Sequence, residues 1–173
     1  MGTKFSTRVW VSVVGIASIF FGSKGYADTV ISVADFGLKP DTRENAVAYV
    51  QKEIEACRGK EPVTLVFPEG RYDFWPQYAH EKNYYETNTY DVFPKRLAML
   101  FEGLHNITVD GNGSQFVMHD RIQPITVENC DGVTLKNFSI DWDIPLTAQA
   151  RVTKVGSDFF EIEINVLESP YII

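Results

Sequence analysis

The stretch Asn106-Ile107-Thr108-Val109-Asp110-Gly111-Asn112-Gly113-Ser114 is echoed 26 residues on from Ile107. There Val133-Thr134-Leu135-Lys136-Asn137 takes the places of Ile107-Thr108-Val109-Asp110-Gly111. Short β-branched runs broken by Gly and Asn, recurring at this period, describe a coil that stacks on itself. Among repeat architectures that is a parallel β-helix. In such a stack Ile107 lies over Val133 and Val109 over Leu135, both facing inward. Thr108 over Thr134 faces outward, because successive strand residues point to opposite sides. Asp110 over Lys136 is then an opposite-charge pair on neighbouring strands. Gly111, Gly113 and Gly132 fall at corners, where glycine accepts positive φ without strain. Beyond the corner the register drifts, and Phe116 aligns with Ile140, as a corner of variable length allows.

Working outward, Leu97 to Phe101, Ile107 to Asp110 and Gln115 to Met118 make one turn of three strands. Pro124 to Glu128, Val133 to Leu135 and Phe138 to Trp142 make the next, and Ala148 to Val155 opens a third. Upstream, Val30-Ile31-Ser32-Val33 is a short strand signal. Asp41 and Glu44 have capping-box spacing. Ala46, Val47, Val50, Ile54 and Cys57 then share one helical face up to Gly59, which predicts an amphipathic helix of about four turns. Its physical task is to cover the open end of the stack, where backbone and core would otherwise be exposed. Val63 to Phe67 is a buried-type strand, Pro68-Glu69-Gly70 a turn, and Arg71 to Phe74 the next strand. Residues Trp75 to Lys95 break the pattern with an insert holding Tyr78, His80, Tyr84, Tyr85 and Tyr90. Such an insert either lines a binding face or packs as a loop over one coil.

Residues 1–27 read as a secretory signal, with Lys4 and Arg8 ahead of the apolar stretch Val9 to Gly22 and a small-x-small cut at Gly25-Tyr26-Ala27. The rival reading, a transmembrane anchor, needs about 20 apolar residues. No Cys follows the apolar run, which argues against a lipoprotein anchor. Residues 28–173 are then the cap and first coils of one domain. The signal removes three cations and no acid, taking the net charge from -7 to about -10. An acidic exported domain argues against nucleic acid and anionic membrane as partners and suits a neutral ligand such as a sugar. Cys57 and Cys130 either pair in the export compartment or stay as buried free thiols; their apolar settings favour the thiols. No Cys/His spacing suggests a metal site. Three glycosylation sequons, at Asn106, Asn112 and Asn137, read better as corner and surface residues. The apolar stop at Leu167 to Ile173, with no cap after it, leads to the expectation of a fragment of a longer solenoid.

Three motifs carry a family resemblance: Val33-Ala34-Asp35-Phe36-Gly37, Phe67-Pro68-Glu69-Gly70-Arg71-Tyr72, and Val109-Asp110-Gly111-Asn112-Gly113-Ser114. They resemble the entry to pectate-lyase-like β-helix enzymes, with Leu38 where Ala is common. That resemblance implies an all-β chain, a right-handed parallel β-helix (a single-stranded solenoid) with an N-terminal capping α-helix, here truncated at the C-terminus. A narrower likeness covers Phe93 to Arg96 and Arg121 to Val152, including Leu135-Lys136-Asn137-Phe138-Ser139-Ile140-Asp141 and Ala148-Gln149-Ala150-Arg151-Val152. These look like glycoside hydrolase family 110, exported α-1,3-galactosidases that remove terminal galactose with inversion. The resemblance implies a periplasmic or extracellular enzyme without a cofactor, acting on an oligo- or polysaccharide with terminal α-galactose. It places the catalytic carboxylates downstream of residue 173, so no catalytic residue is carried over.

The residues themselves offer one compact acidic cluster, Asp141-Trp142-Asp143. Inverting hydrolysis needs two carboxyls roughly 6.5–9.5 Å apart. In a strand, residues two apart share a face at about 6.6–6.8 Å between Cα atoms. Asp141 and Asp143 are therefore candidate substrate-binding residues, with Trp142 pointing the other way. The alternative is a solvated strand end with a packed Trp. His119-Asp120-Arg121 is a charged corner, either a ligand contact or a solvated turn, while His80 and His105 stand alone. Two other functions share this fold: a polysaccharide lyase acting on uronates, and a non-enzymatic adhesive or carbohydrate-binding β-helix.

Overall fold

A computed structural model describes residues 29–84, 94–167 and 169. Over these the chain is mostly β-structure with one α-helix. Strand β1 (Thr29–Ser32) pairs in parallel with β2 (Val63–Val66). The first half of β6 (His105–Met118) pairs in parallel with β2, and its second half with β3 (Arg71–Phe74). Along both halves β6 also carries β8 (Asp131–Trp142), again in parallel. A second sheet stacks β5 (Lys95–Glu102) on β7 (Gln123–Glu128), with the short β4 (His80–Lys82) antiparallel to β5. Consecutive lengths of chain thus lie over one another: β2, β3 and β5, then β6 and β7, then β8.

The register agrees with the repeat residue by residue. Ile107 pairs with Val133, Thr108 with Thr134, Val109 with Leu135, Asp110 with Lys136 and Phe116 with Ile140. The slip falls between Asp110 and Ser114. Lys136 Nζ lies 3.2 Å from Asp110 Oδ2. At the corners Gly113 and Gly132 adopt φ of 86° and 74°. Gly111 does not; it is needed because a Cβ there would sit 2.5 Å from Phe138 Cβ and 2.7 Å from the Asn137 carbonyl. Asn106, Asn112, Asn129 and Asn137 also take left-handed φ, between 48° and 60°. Asn tolerates that region through local hydrogen bonding, which explains Asn at corners better than a glycan does.

Helix α1 (Val47–Cys57) buries Val47, Val50, Ile54 and Cys57 and packs on β5 and β2. β1 lies on β2, Asn45 bridges to Asp73 of β3, and α1 lies beside β5. The first segment therefore forms a layer over all three strands of the first coil. At 11 residues α1 has about three turns, not four. The expected Asp41–Glu44 capping box does not form. Asp41 has φ of 61° and accepts from the Arg71 N–H at 2.9 Å. Residues up to Asn45 are tied to β3, so the helix starts later, and Asn45 Oδ1 accepts from the Val47 N–H at 3.2 Å. A capping box forms instead at Ser32 and Asp35, ahead of a single 3-10 turn.

The core centres on aromatic contacts among Phe67, Tyr72, Phe74 and Phe116, with Phe138 stacked on Phe116 at 4.8 Å. Both cysteines are free thiols, Cys57 buried and Cys130 half-buried. Ala148 to Val155 does not stack as a further coil. β9 (Ala150–Val155) instead pairs antiparallel with β10 (Phe160–Ile164), and the Gly156 N–H donates to the Phe159 carbonyl at 2.8 Å. Closing so short a loop costs little entropy, and Gly156-Ser157-Asp158 supplies the turn. The expected signal at 1–27, and Tyr85 and Tyr90 of the insert, lie outside the described residues. No helix among the described residues is long and apolar enough to cross a membrane.

Candidate functional site

Strand alternation sorts the second halves of β3, β6 and β8 into two columns. Phe74, Met118 and Trp142 are in register and pack into the core. Asp73, Val117 and Asp141 are also in register, and by alternation they face out. Two residues further on, the same face continues through Trp75, His119 and Asp143. The ladder extends that far: the His119 N–H donates to the Phe74 carbonyl at 2.9 Å, and the Asp143 N–H to the Met118 carbonyl at 3.0 Å.

On this face a charge network joins three coils. The Asp73 side chain is fully buried although it points outward. Its carboxylate accepts from Arg71 Nε at 3.0 and 3.1 Å and from Arg71 Nη2 at 2.6 Å. His119 Nε2 lies 2.8 Å from Asp73 Oδ1, and Arg43 Nη1 lies 3.8 Å away. Burial works to raise the Asp73 pKa. Hydrogen bonds from Arg71 and His119, with the charges of Arg71 and Arg43, outweigh it and hold the carboxyl below its ordinary value. An ionised Asp73 only accepts, so His119 Nε2 carries the shared proton. Arg71 Nη2 also reaches Asp143 Oδ1 at 3.1 Å, and His119 Nδ1 stands 3.7 Å from Asp143 Oδ2, beyond hydrogen-bond range. Trp75 stacks on His119 with ring centroids 3.9 Å apart and planes within 6°.

The network is a support with one working edge. Asp73 is saturated and dry, so its part is to fix Arg71 and His119. Those two present a guanidinium and an imidazole to Asp143, whose side chain is 42 % exposed. Asp143 can thus offer a pre-positioned carboxylate to a polar ligand. Asp141 is exposed, and its Oδ1 accepts from the Trp142 N–H at 2.8 Å. Trp142 points away from both acids, as alternation requires, and its Nε1–H donates to the Asp120 carbonyl at 3.3 Å. Of the charged corner, His119 joins the network, while Asp120 and Arg121 are exposed. His80 and His105 are exposed on β4 and at the start of β6. Among the described residues no cluster of His, Cys, Asp or Glu is arranged to hold a metal ion.

Sequence reasoning missed Arg71, Asp73 and Trp75. The signal was present: Arg71-x-Asp73-x-Trp75 has the same alternation as Gln115-x-Val117-x-His119 and Ser139-x-Asp141-x-Asp143. Extending the register one coil back would have brought the three together.

No protein-family model matches the chain. Curated proteins do. The chain is 60 % identical over 147 residues to alpha-1,3-galactosidase B of Bacteroides thetaiotaomicron, covering 85 % of this chain and 24 % of that protein. It is 36 % identical over 136 residues to alpha-1,3-galactosidase A of Shewanella woodyi, covering 79 % of this chain and 22 % of that protein. To an alpha-1,3-galactosidase B of Phocaeicola vulgatus it is 35 % identical over 159 residues, covering 90 % and 25 %. The chain spans about a quarter of the length of these relatives. Over the stretch it shares with them, it is a homologue of the bacterial α-1,3-galactosidases.

Proposed function

We propose that this chain is part of an exported glycoside hydrolase of family 110 that removes terminal α-1,3-linked galactose with inversion. The observation that carries the reading is the 60 % identity to a protein named alpha-1,3-galactosidase B, sustained over 85 % of the chain. The stacked register, with Ile107 over Val133 and Leu97 over Gln123, supports a right-handed parallel β-helix with α1 as its cap. In this reading the catalytic carboxylates lie downstream of residue 173, and Asp141 and Asp143 contact substrate. The partner is a neutral glycan ending in α-galactose, the location is the periplasm or the cell exterior, and these residues alone are inactive.

The test is an assay of the intact protein on α-1,3-galactosides and on uronate polymers, with the product anomer followed by NMR. Release of β-galactose from the first, and no action on the second, is the expected result. Cleavage of uronates would favour a lyase, and inertness on both an adhesive or binding protein.

A further inference from the structure

Beside the Asp73 network lies an open cavity of about 460 Å3, lined by Trp75, Gln77, Tyr78, Glu81, Arg96 and Asp120 among others. We propose that it is a binding subsite for a neutral sugar unit, with Tyr78 as its stacking surface. The choice of a glycan rests on the hydrolase reading above; the subsite would take a unit of the substrate beyond the cleaved galactose.

Three observations point to a built site. First, the loop is pinned. Asn45 Nδ2 donates to the Gln77 carbonyl at 2.9 Å and to the Trp75 carbonyl at 3.5 Å, and the Trp75 N–H donates to Asn45 Oδ1 at 3.2 Å. His119 clamps the Trp75 ring from the other side. Second, Tyr78 is held in the left-handed region at φ 67° with 67 % of its surface exposed. A bulky side chain avoids that conformation unless its surroundings impose it, and such outliers gather at functional sites. Here the pinned loop imposes it, and the result is a ring displayed to solvent. Third, Tyr78 also lines a second cavity of about 400 Å3 beside α1, with Asn45, Tyr49 and Lys52. The ring is a wall shared by two adjacent hollows, a shape that suits consecutive units of an oligosaccharide.

The lining chemistry selects the ligand. Aromatic rings take the C–H face of a pyranose, while carboxylate, amide and guanidinium groups pair with its hydroxyls, which both donate and accept. Arg96 is already paired with Glu81 at 3.3 Å. Asp120 adds a further acid, so the hollow carries more negative than positive charge and disfavours uronates and phosphates. Its volume lies within the ~300–1,000 Å3 of small-ligand sites.

The test compares the intact protein with Tyr78→Gly and Tyr78→Phe variants. Gly accepts the φ of this position, so Tyr78→Gly removes the ring without straining the backbone. Each is assayed on an aryl α-galactoside and on a galactosyl-α-1,3-oligosaccharide. The expected result is a KM for the oligosaccharide that rises in Tyr78→Gly about tenfold more than the KM for the aryl substrate, worth about 1.4 kcal/mol. Tyr78→Phe should restore it. Equal KM changes on the two substrates would overturn the subsite while leaving the hydrolase reading intact. If the intact protein cleaves neither substrate, the hydrolase reading fails, and calorimetric titration with the same oligosaccharide decides the subsite. Binding lost in Tyr78→Gly upholds it, and no binding by the unaltered protein overturns it.

Discussion

Glu53 lies on the buried face of α1 with both carboxyl oxygens buried and without a hydrogen-bond partner among the described residues. Burial, with a smaller contribution from the charge of Asp35, pushes its pKa up to about 8. The group therefore folds as the neutral acid. Because the folded pKa lies above the unfolded value, the folded state holds this proton more tightly. Stability is complete below about pH 4.5 and is lost as pH rises towards about 8, by on the order of 4 kcal/mol. Thermal unfolding of the intact protein across that range should show the decline, and Glu53→Gln should flatten it; parallel curves for the two proteins would contradict the assignment. Two corner glycines separate the costs of space and of conformation. Gly113 has φ of 86° and nothing closer than 3.9 Å to an added Cβ, so Gly113→Ala should cost about 1 kcal/mol. Gly111 faces Phe138 Cβ at 2.5 Å, so Gly111→Ala must displace the next coil and should cost about 1–3 kcal/mol. Denaturant midpoints would check the order, which fails if Gly113→Ala is the more damaging.

Between elements the stacking geometry creates a conflict that the insert resolves. Glu102 of β5 and Glu128 of β7 are directly in register, an unfavourable like-charge pair. Lys82 of β4 lies between them, with Nζ 2.7 Å from Glu102 and 2.8 Å from Glu128, and the Tyr84 hydroxyl also donates to Glu128. Lys82→Met should lower the melting temperature most in dilute buffer, and added salt should recover much of the loss by screening the exposed carboxylates. A loss that does not depend on salt would show that the lysine acts by packing alone. The same dependence on distant partners decides what the sequence could reveal. The pairing of Ile107 with Val133 and of Phe116 with Ile140 was legible because aliphatic alternation has only one buried phase. The hairpin of β9 and β10 was not, because Ala150-Arg151-Val152-Thr153 alternates like any other strand, and only the Gly156-Ser157-Asp158 turn separates a local fold-back from another coil. Asp41-x-x-Glu44 has capping-box spacing, yet the Asp41 carboxylate is claimed by the Arg71 N–H, 30 residues away. Likewise Asp143 stood out as part of a local cluster, whereas its partner Arg71 lies 72 residues earlier and becomes visible only once the coils are stacked.

Across the whole molecule burial falls from one end of the stack to the other. Val109 and Phe116 of β6 are fully buried, while their stacked equivalents Leu135 and Ile140 of β8 are 40 % and 38 % exposed. Among the described residues β8 pairs with β6 alone, so its far edge presents unpaired backbone beside those side chains. Val152, Val155, Phe160 and Ile162 of the β9–β10 hairpin add further exposed apolar surface. In a stacked repeat, stability is approximately the sum of each coil's own term and the interfaces with its neighbours. The coil at β8 has one interface where β6 has two, and an uncovered parallel edge is a template for association. At the opposite end α1 and β1 supply a cover, so the imbalance is confined to the β8 side. The stretch this chain shares with its relatives is about a quarter of their length, and under the hydrolase reading proposed above further coils of the intact protein would cover that edge. Residues 28–173 expressed alone should therefore self-associate, melt over a broad range and fail to cleave α-1,3-galactosides, whereas the intact protein should melt cooperatively. Light scattering and calorimetry on the two would check this: a monomeric 28–173 with a sharp transition would mean that the exposed face of β8 needs no cover and that the first coils fold as a unit.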